Sequence, residues 1–174
     1  HAKMSPLTMN FAPGDRYFDH FDLVGFEHAD FYADGRDLGE NYTFTQWRLS
    51  PCAKSGQLDC IHCHTSSGRY RFKERAKANE ACLPCHAKIV ADAPAHTHHK
   101  AGSAGDDCLE CHMPKIEQTM PDDFVRSHTF EFITPEMTEQ FKIPNPCTSC
   151  HKDPHLGQVN RQCETCHLPE TFTI

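Results

Sequence analysis

His96-Thr-His98-His99-Lys-Ala-Gly-Ser-Ala-Gly-Asp106-Asp107-Cys108-Leu-Glu-Cys111-His112-Met113-Pro, continued by Arg126-Ser-His128-Thr-Phe, is the stretch on which the reading of this chain turns. Cys108, Cys111 and His112 form a Cys-x-x-Cys-His motif, with histidines on either side of it. Two thiols three residues apart can bond one porphyrin edge, and the histidine that follows can bind its iron, so a short segment can fix both a covalent haem and its orientation.

The motif occurs five times. Cys60, Cys63 and His64 form the first copy, and Cys82, Cys85 and His86 the second; Cys108 to His112 is the third. Cys147, Cys150 and His151 follow, then Cys163, Cys166 and His167, so that ten of the eleven cysteines are used. Zinc ribbons pair their Cys-x-x-Cys halves and need no histidine after each one. Thioredoxin-like motifs occur once, at a helix start in an α/β pattern. Disulfides leave the five histidines without a role. The repetition therefore predicts five c-type haems with His64, His86, His112, His151 and His167 as proximal ligands.

Five haems in 174 residues leave about 35 residues for each, too few for an ordinary core around every macrocycle. Only 38% of residues are hydrophobic and the mean hydropathy is −0.63, values that predict weak folding for a bare chain. The expected fold is mainly α and irregular, with short helices and loops wrapped around five closely packed c-type haems and little or no β-sheet. The porphyrins are expected to form much of the core.

No apolar run reaches the 18 or so residues that span a bilayer, so no membrane span is expected. The chain opens on His1 rather than methionine, as an exported chain with its signal removed would. Because haem c is attached outside the cytoplasm of bacteria and archaea, the expected compartment is the periplasm, the extracellular space or the cell surface. A formal charge of −7 argues against nucleic acid and anionic membrane surfaces and leaves redox partner proteins or extracellular electron acceptors.

Three segments are expected within one compact haem-cored unit: a haem-free aromatic arm over 1–50, three haems over 51–130 and two over 131–174. The arm carries Phe11, Tyr17, Phe18, Phe21, Phe26, Phe31, Tyr32, Tyr42, Phe44 and Trp47, broken by glycines, and reads as extended chain laying rings on haem faces or on a neighbouring subunit. Its His20 and His28 are candidate distal ligands. Cys52, the odd cysteine, reads as an idle thiol, and His62, inside its own motif, as a polar neighbour. The helix formers of Arg69 to Ala81 predict a helix leading into the second motif. Asp106 and Asp107, Asn145-Pro146, and Asn160 stand where N-caps of motif-bearing helices belong, and Thr134-Pro135-Glu136 opens a helix to about Phe141. Met113 and Met120 read as packing residues.

The stretch from His96 to Phe130 resembles multihaem cytochromes c of the cytochrome c554 and pentahaem nitrite reductase group. The likeness extends back to Phe31-Tyr-Ala-Asp-Gly-Arg and Tyr42-Thr-Phe-Thr-Gln-Trp and forward to Pro144-Asn-Pro-Cys-Thr-Ser-Cys-His. Cys147 to His167 is similar to the doubled haem-motif modules of large multihaem cytochromes. The resemblance implies bis-histidine ligation, with His96, His99, His128 and His155 as distal ligands and His98 in reserve. Which distal histidine serves which iron stays open. The chain departs from the nitrite reductases in lacking a Cys-x-x-Cys-Lys motif, and from the hydroxylamine-oxidising relatives in length.

Successive motifs start 22, 26, 39 and 16 residues apart, so the haems must lie close together. The expected function is electron transfer along that row without substrate chemistry. One alternative is a subunit of an extracellular head-to-tail filament of identical chains, the arm capping a neighbour's haem. The other is a nitrite- or hydroxylamine-type reductase with one open haem.

Overall fold

The computed structural model describes residues 4–38, 42–120 and 123–151, with side chains left aside over 117–123. The fifth motif and His155 lie outside the described residues. Short helices and irregular segments dominate, joined by two small antiparallel sheets.

β1 (Met4–Pro6) pairs with β2 (Phe21–Leu23), Ser5 opposite Asp22, and a 3-10 turn at Tyr17–Asp19 lies between them. The chain then turns through Phe31 to Leu38 into α1 (Thr43–Leu49) and α2 (Pro51–Lys54), the second capped by Ser50, whose Oγ accepts from the Ala53 N–H at 3.0 Å. α3 (Cys60–Cys63) carries the first motif. A 3-10 segment (Arg75–Cys82) delivers the second to α4 (Leu83–Ala91), which is followed by α5 (Ala93–Thr97). α6 (Cys108–His112) holds the third motif, β3 (Lys115–Met120) and β4 (Asp123–Arg126) form a bulged hairpin, and α7 (Pro135–Phe141) and α8 (Cys147–Cys150) end the described chain.

The apolar core is thin. Ile116, Ile133 and Ile143 form its centre, with Tyr32 and Met137 packed against them. These residues come from all three of the expected segments. A second buried layer is polar: Arg36, 1% exposed, donates from Nε to Thr129 Oγ1 at 3.1 Å and from Nη2 to the Glu131 carbonyl at 3.0 Å. These contacts divide the expected arm. Residues 4–23 form a hairpin with exposed Met9, Phe11 and Phe18, whereas Phe31, Arg36, Asp37, Gln46 and Ser50 are buried in the body.

The helix expected over Arg69 to Ala81 is corrected. Residues 69 to 74 are non-helical, and only the second half winds, as a 3-10 helix. The physical reason is period two: Tyr70 and Phe72 turn inward onto His64 and His62, which a helical spacing would not allow. The capping expectations fare better. Asp107 caps α6, its Oδ1 accepting from the Leu109 N–H at 2.9 Å, and Thr134 caps α7 through the Met137 N–H at 3.2 Å. At α8 the Asn145 Oδ1 accepts from the Thr148 N–H at 3.3 Å.

Candidate functional site

A cavity of about 2290 Å³ runs through the molecule, several times the roughly 300–1,000 Å³ of a pocket for one small molecule. Of the eight described motif cysteines, all but Cys150 line it, as do His64, His86, His112 and His151. His96, His98, His99 and His128 line it too, so four further imidazoles share the wall with the motifs.

The motif helices explain the thiol geometry. In α3, α6 and α8 the two cysteines lie one helical turn apart, so they share a face. The histidine that follows falls at or beyond the last turn: His64 and His151 are extended C-caps, and His86 breaks α4 with non-helical angles of −115° and 33°. His112 is the last residue of α6, and all four imidazoles line the cavity.

Three imidazole pairs face one another there. The His64 and His128 ring centres are 6.4 Å apart at an interplanar angle of 27°, and those of His112 and His96 are 6.2 Å apart at 11°. His151 and His99 stand 6.1 Å apart at 47°. Two metal–nitrogen bonds of about 2 Å, plus about 1.1 Å from each nitrogen to its ring centre, put imidazoles on opposite sides of one metal ion about 6.2 Å apart. Each pair joins a motif histidine to one outside the motifs. Among the described residues no group of three or more His, Cys, Asp or Glu side chains is placed to hold a metal ion.

Backbone carbonyls orient these rings. Nδ1 of His64 lies 3.1 Å from the Gly68 carbonyl and that of His112 3.1 Å from the Phe130 carbonyl. The corresponding contacts are 2.9 Å from His128 to the Arg126 carbonyl and 2.7 Å from His99 to the Thr97 carbonyl. A carbonyl can only accept, so Nδ1 carries the proton and Nε2 keeps its lone pair for a metal. Burial lowers the pKa of His128, and burial followed by the nearby His98 and His86 lowers that of His96, favouring the neutral form that ligates.

The remaining candidates are placed differently. His20 is held by the Thr8 hydroxyl on one side and by the Asp15 carboxylate, 3.3 Å from Nε2, on the other; His28 Nδ1 lies 3.6 Å from the Asp30 carboxylate. Neither lines the cavity. Among the described residues no imidazole faces His86, in contrast to the other three motif histidines. His62 bonds through Nε2 with the Ala81 carbonyl at 3.0 Å, linking the first motif to the approach of the second. Met113 is buried.

The thiols of neighbouring motifs are close. Cys82 bonds Cys108, which, with burial, holds the Cys82 thiol well above its ordinary range. Burial and then Cys147 push Cys111 up to about 11. Cys52 lines the same cavity, half-buried, and burial followed by Cys85 raises its pKa, which favours the protonated thiol.

Several positioning residues carry no motif signal. Asn79 accepts the Cys108 N–H on Oδ1 at 2.9 Å and donates from Nδ2 to the Asp106 carbonyl at 2.9 Å, clamping the third motif to the approach of the second. Gln46, fully buried, accepts the His128 N–H and the Ser127 hydroxyl on Oε1, both at 2.8 Å. Arg126 donates to the carbonyls of Leu109 at 2.9 Å and Met113 at 2.8 Å, around the third motif. Gln46 and Arg126 lie in stretches that carry the family likeness, but that each holds a motif or its facing histidine is a tertiary contact, which one sequence does not show.

Comparison with family models, curated proteins and solved structures finds no match to this chain.

Proposed function

We propose that the chain is a multihaem c-type cytochrome that carries electrons along a row of closely spaced haems. The observation that carries this reading is the set of three facing imidazole pairs, each with one motif histidine, around one thiol-lined cavity. Haem c bound there supplies a reversible one-electron iron centre. In this reading Cys60 with Cys63, Cys82 with Cys85, Cys108 with Cys111, and Cys147 with Cys150 hold four haems, and Cys163 with Cys166 a fifth. His64 is paired with His128, His112 with His96, and His151 with His99. Two histidines close both axial positions, which suits transfer rather than substrate chemistry. The contact of Cys82 with Cys108 supports short steps between successive haems. Export to the periplasm or cell surface belongs to the same proposal, and no helix of the described residues is long and apolar enough to cross a membrane.

A haem count on the purified chain tests this directly. Five alkaline pyridine haemochromes per chain and low-spin ferric signals in the electron paramagnetic resonance spectrum are expected. A chain that matures without covalent haem, or binds zinc stoichiometrically in its place, would overturn the reading.

A second reading concerns His86. Among the four described motifs it is His86 that no described imidazole faces, so in this reading its haem is the candidate for an external ligand, as in a reductase with one open haem; His155 lies outside the described residues. A high-spin signal of about one haem per chain, lost on adding cyanide, is the expected sign and would direct nitrite and hydroxylamine assays to that haem. If the signal grew only on dilution, a neighbouring subunit had supplied the sixth ligand, as the filament reading requires. His20, tied to Thr8 and Asp15, is not offered for that purpose in the single chain.

A further inference from the structure

The segment joining the first motif to the second reads Arg69-Tyr70-Arg71-Phe72-Lys73-Glu74-Arg75-Ala76-Lys77. Five cations less one carboxylate leave +4 in nine residues (5 − 1), in a chain whose formal charge is −7. Every cation in it is exposed, while Tyr70 and Phe72 between them are half-buried. Tyr70 packs 5.8 Å from the His64 ring and Phe72 6.0 Å from the His62 ring, so alternation places aromatics on the inner face and charge on the outer one.

This strap lies directly on the first motif. The Thr65 N–H donates to the Arg69 carbonyl and the Arg71 N–H to the Cys63 carbonyl, both at 2.8 Å. Arg71 Nε donates to the carbonyls of His64 at 3.0 Å and Ile61 at 3.2 Å. Lys77 pairs with Glu74 at 3.2 Å, but Arg69, Lys73 and Arg75 have no carboxylate partner among the described residues. Asp59, the acid beside the motif, uses its Oδ1 to accept from the Ile61 N–H at 3.1 Å. Cys60 and Ile61 are themselves exposed, so an attachment edge reaches the surface at this place.

Solvation of an outer face accounts for polar residues there but not for their sign. Building on the electron-transfer reading, we infer that the basic strap over 69–77 is the docking face for a redox partner with an acidic surface, and that electrons cross there at the first haem. The rest of an anionic molecule repels such a partner, so the strap selects one edge for the encounter. Each encounter moves one electron, with haem iron oxidised from ferrous to ferric and the partner reduced by one; no bond or proton is exchanged.

The test is stopped-flow oxidation of the reduced, haem-loaded full chain by ferric EDTA, an anion, over a range of ionic strength. A net charge of −7 acting alone would make the rate rise with salt, whereas attraction at the strap makes it fall. The expected wild-type slope is negative. The R69E/K73E/R75E variant, with Arg71 left in place to hold the motif, is expected to reverse the slope and to lose roughly tenfold or more of the low-salt rate. The neutral R69Q/K73Q/R75Q variant should fall between them, and the haem spectrum reports that each variant is folded. A positive wild-type slope, or a slope indifferent to both variants, overturns the inference while leaving the haem count untouched. Low-salt dimerisation abolished by the charge reversal would make a second copy the occupant and would equally overturn it.

Discussion

His128 illustrates what a single residue contributes. It lies 16 residues from His112, the third motif's histidine, on the sequence side that would suggest local pairing, yet its ring faces His64 of the first motif. Gln46, from a third part of the chain, holds its backbone N–H at 2.8 Å. That a histidine near a motif is a ligand candidate was legible in the residue type. Which motif histidine it faces was not, because the partner is chosen by contacts that bring residues 46, 64 and 128 together. Replacing His128 with methionine exchanges a nitrogen for a thioether ligand. A redox titration should then find one haem moved to higher potential with the others near their original values, since methionine raises the potential relative to a second histidine. Uniform behaviour of all the haems in that titration would contradict the pairing of His128 with His64.

At the scale of elements, the motif-bearing turns are short enough that capping decides whether they form. α6 has only five residues, and Asp107 Oδ1 satisfies the otherwise free N–H of Leu109. Substituting Asp107 with alanine should cost about 0.5–2 kcal/mol, read as a lowered melting temperature of the haem-loaded protein. Unchanged melting would mean that the attached cofactor and the Asn79 clamp alone hold the turn. The caps at Asp107 and Thr134 were readable because a cap is a local signal, a short polar side chain just before a helical run. The segment 69–74 was misread as helix for the complementary reason. Its Arg, Lys and Glu content favours helix, but Tyr70 and Phe72 reach the His64 and His62 rings on one face only if the chain is extended. Tertiary packing of two aromatic rings outweighs the few tenths of a kcal/mol per residue that propensity supplies.

For the molecule as a whole, the balance between core and cavity is the governing fact. Three isoleucines make the centre of the apolar core, while a cavity of about 2290 Å³ runs between the helices. A chain with so little self-contained apolar packing has little to set against its conformational entropy. In the proposed holoprotein, the macrocycles fill that space and cross-link distant segments. Haem-free chain, prepared by replacing the motif cysteines with serine or by expression without the attachment machinery, should therefore give a weak circular dichroism spectrum and no cooperative thermal transition. A sharp transition would show that the polypeptide alone can fold, and that the cavity is supported without its contents.

The five Cys-x-x-Cys-His motifs could be read directly from residue order, and so could the helical turns that carry the four described ones, because both are local. Thiols at i and i+3 share a helical face wherever that helix later sits. The shortage of hydrophobic residues was equally plain, and with it the expectation of a core completed by something other than side chains. Three features depended on the folded chain: the facing of His64 with His128, of His112 with His96 and of His151 with His99; the placement of His20 and His28 beside Asp15 and Asp30; and the outward turn of the basic strap. Each is a contact or an exposure, fixed when segments far apart in sequence meet and bury one face in preference to another.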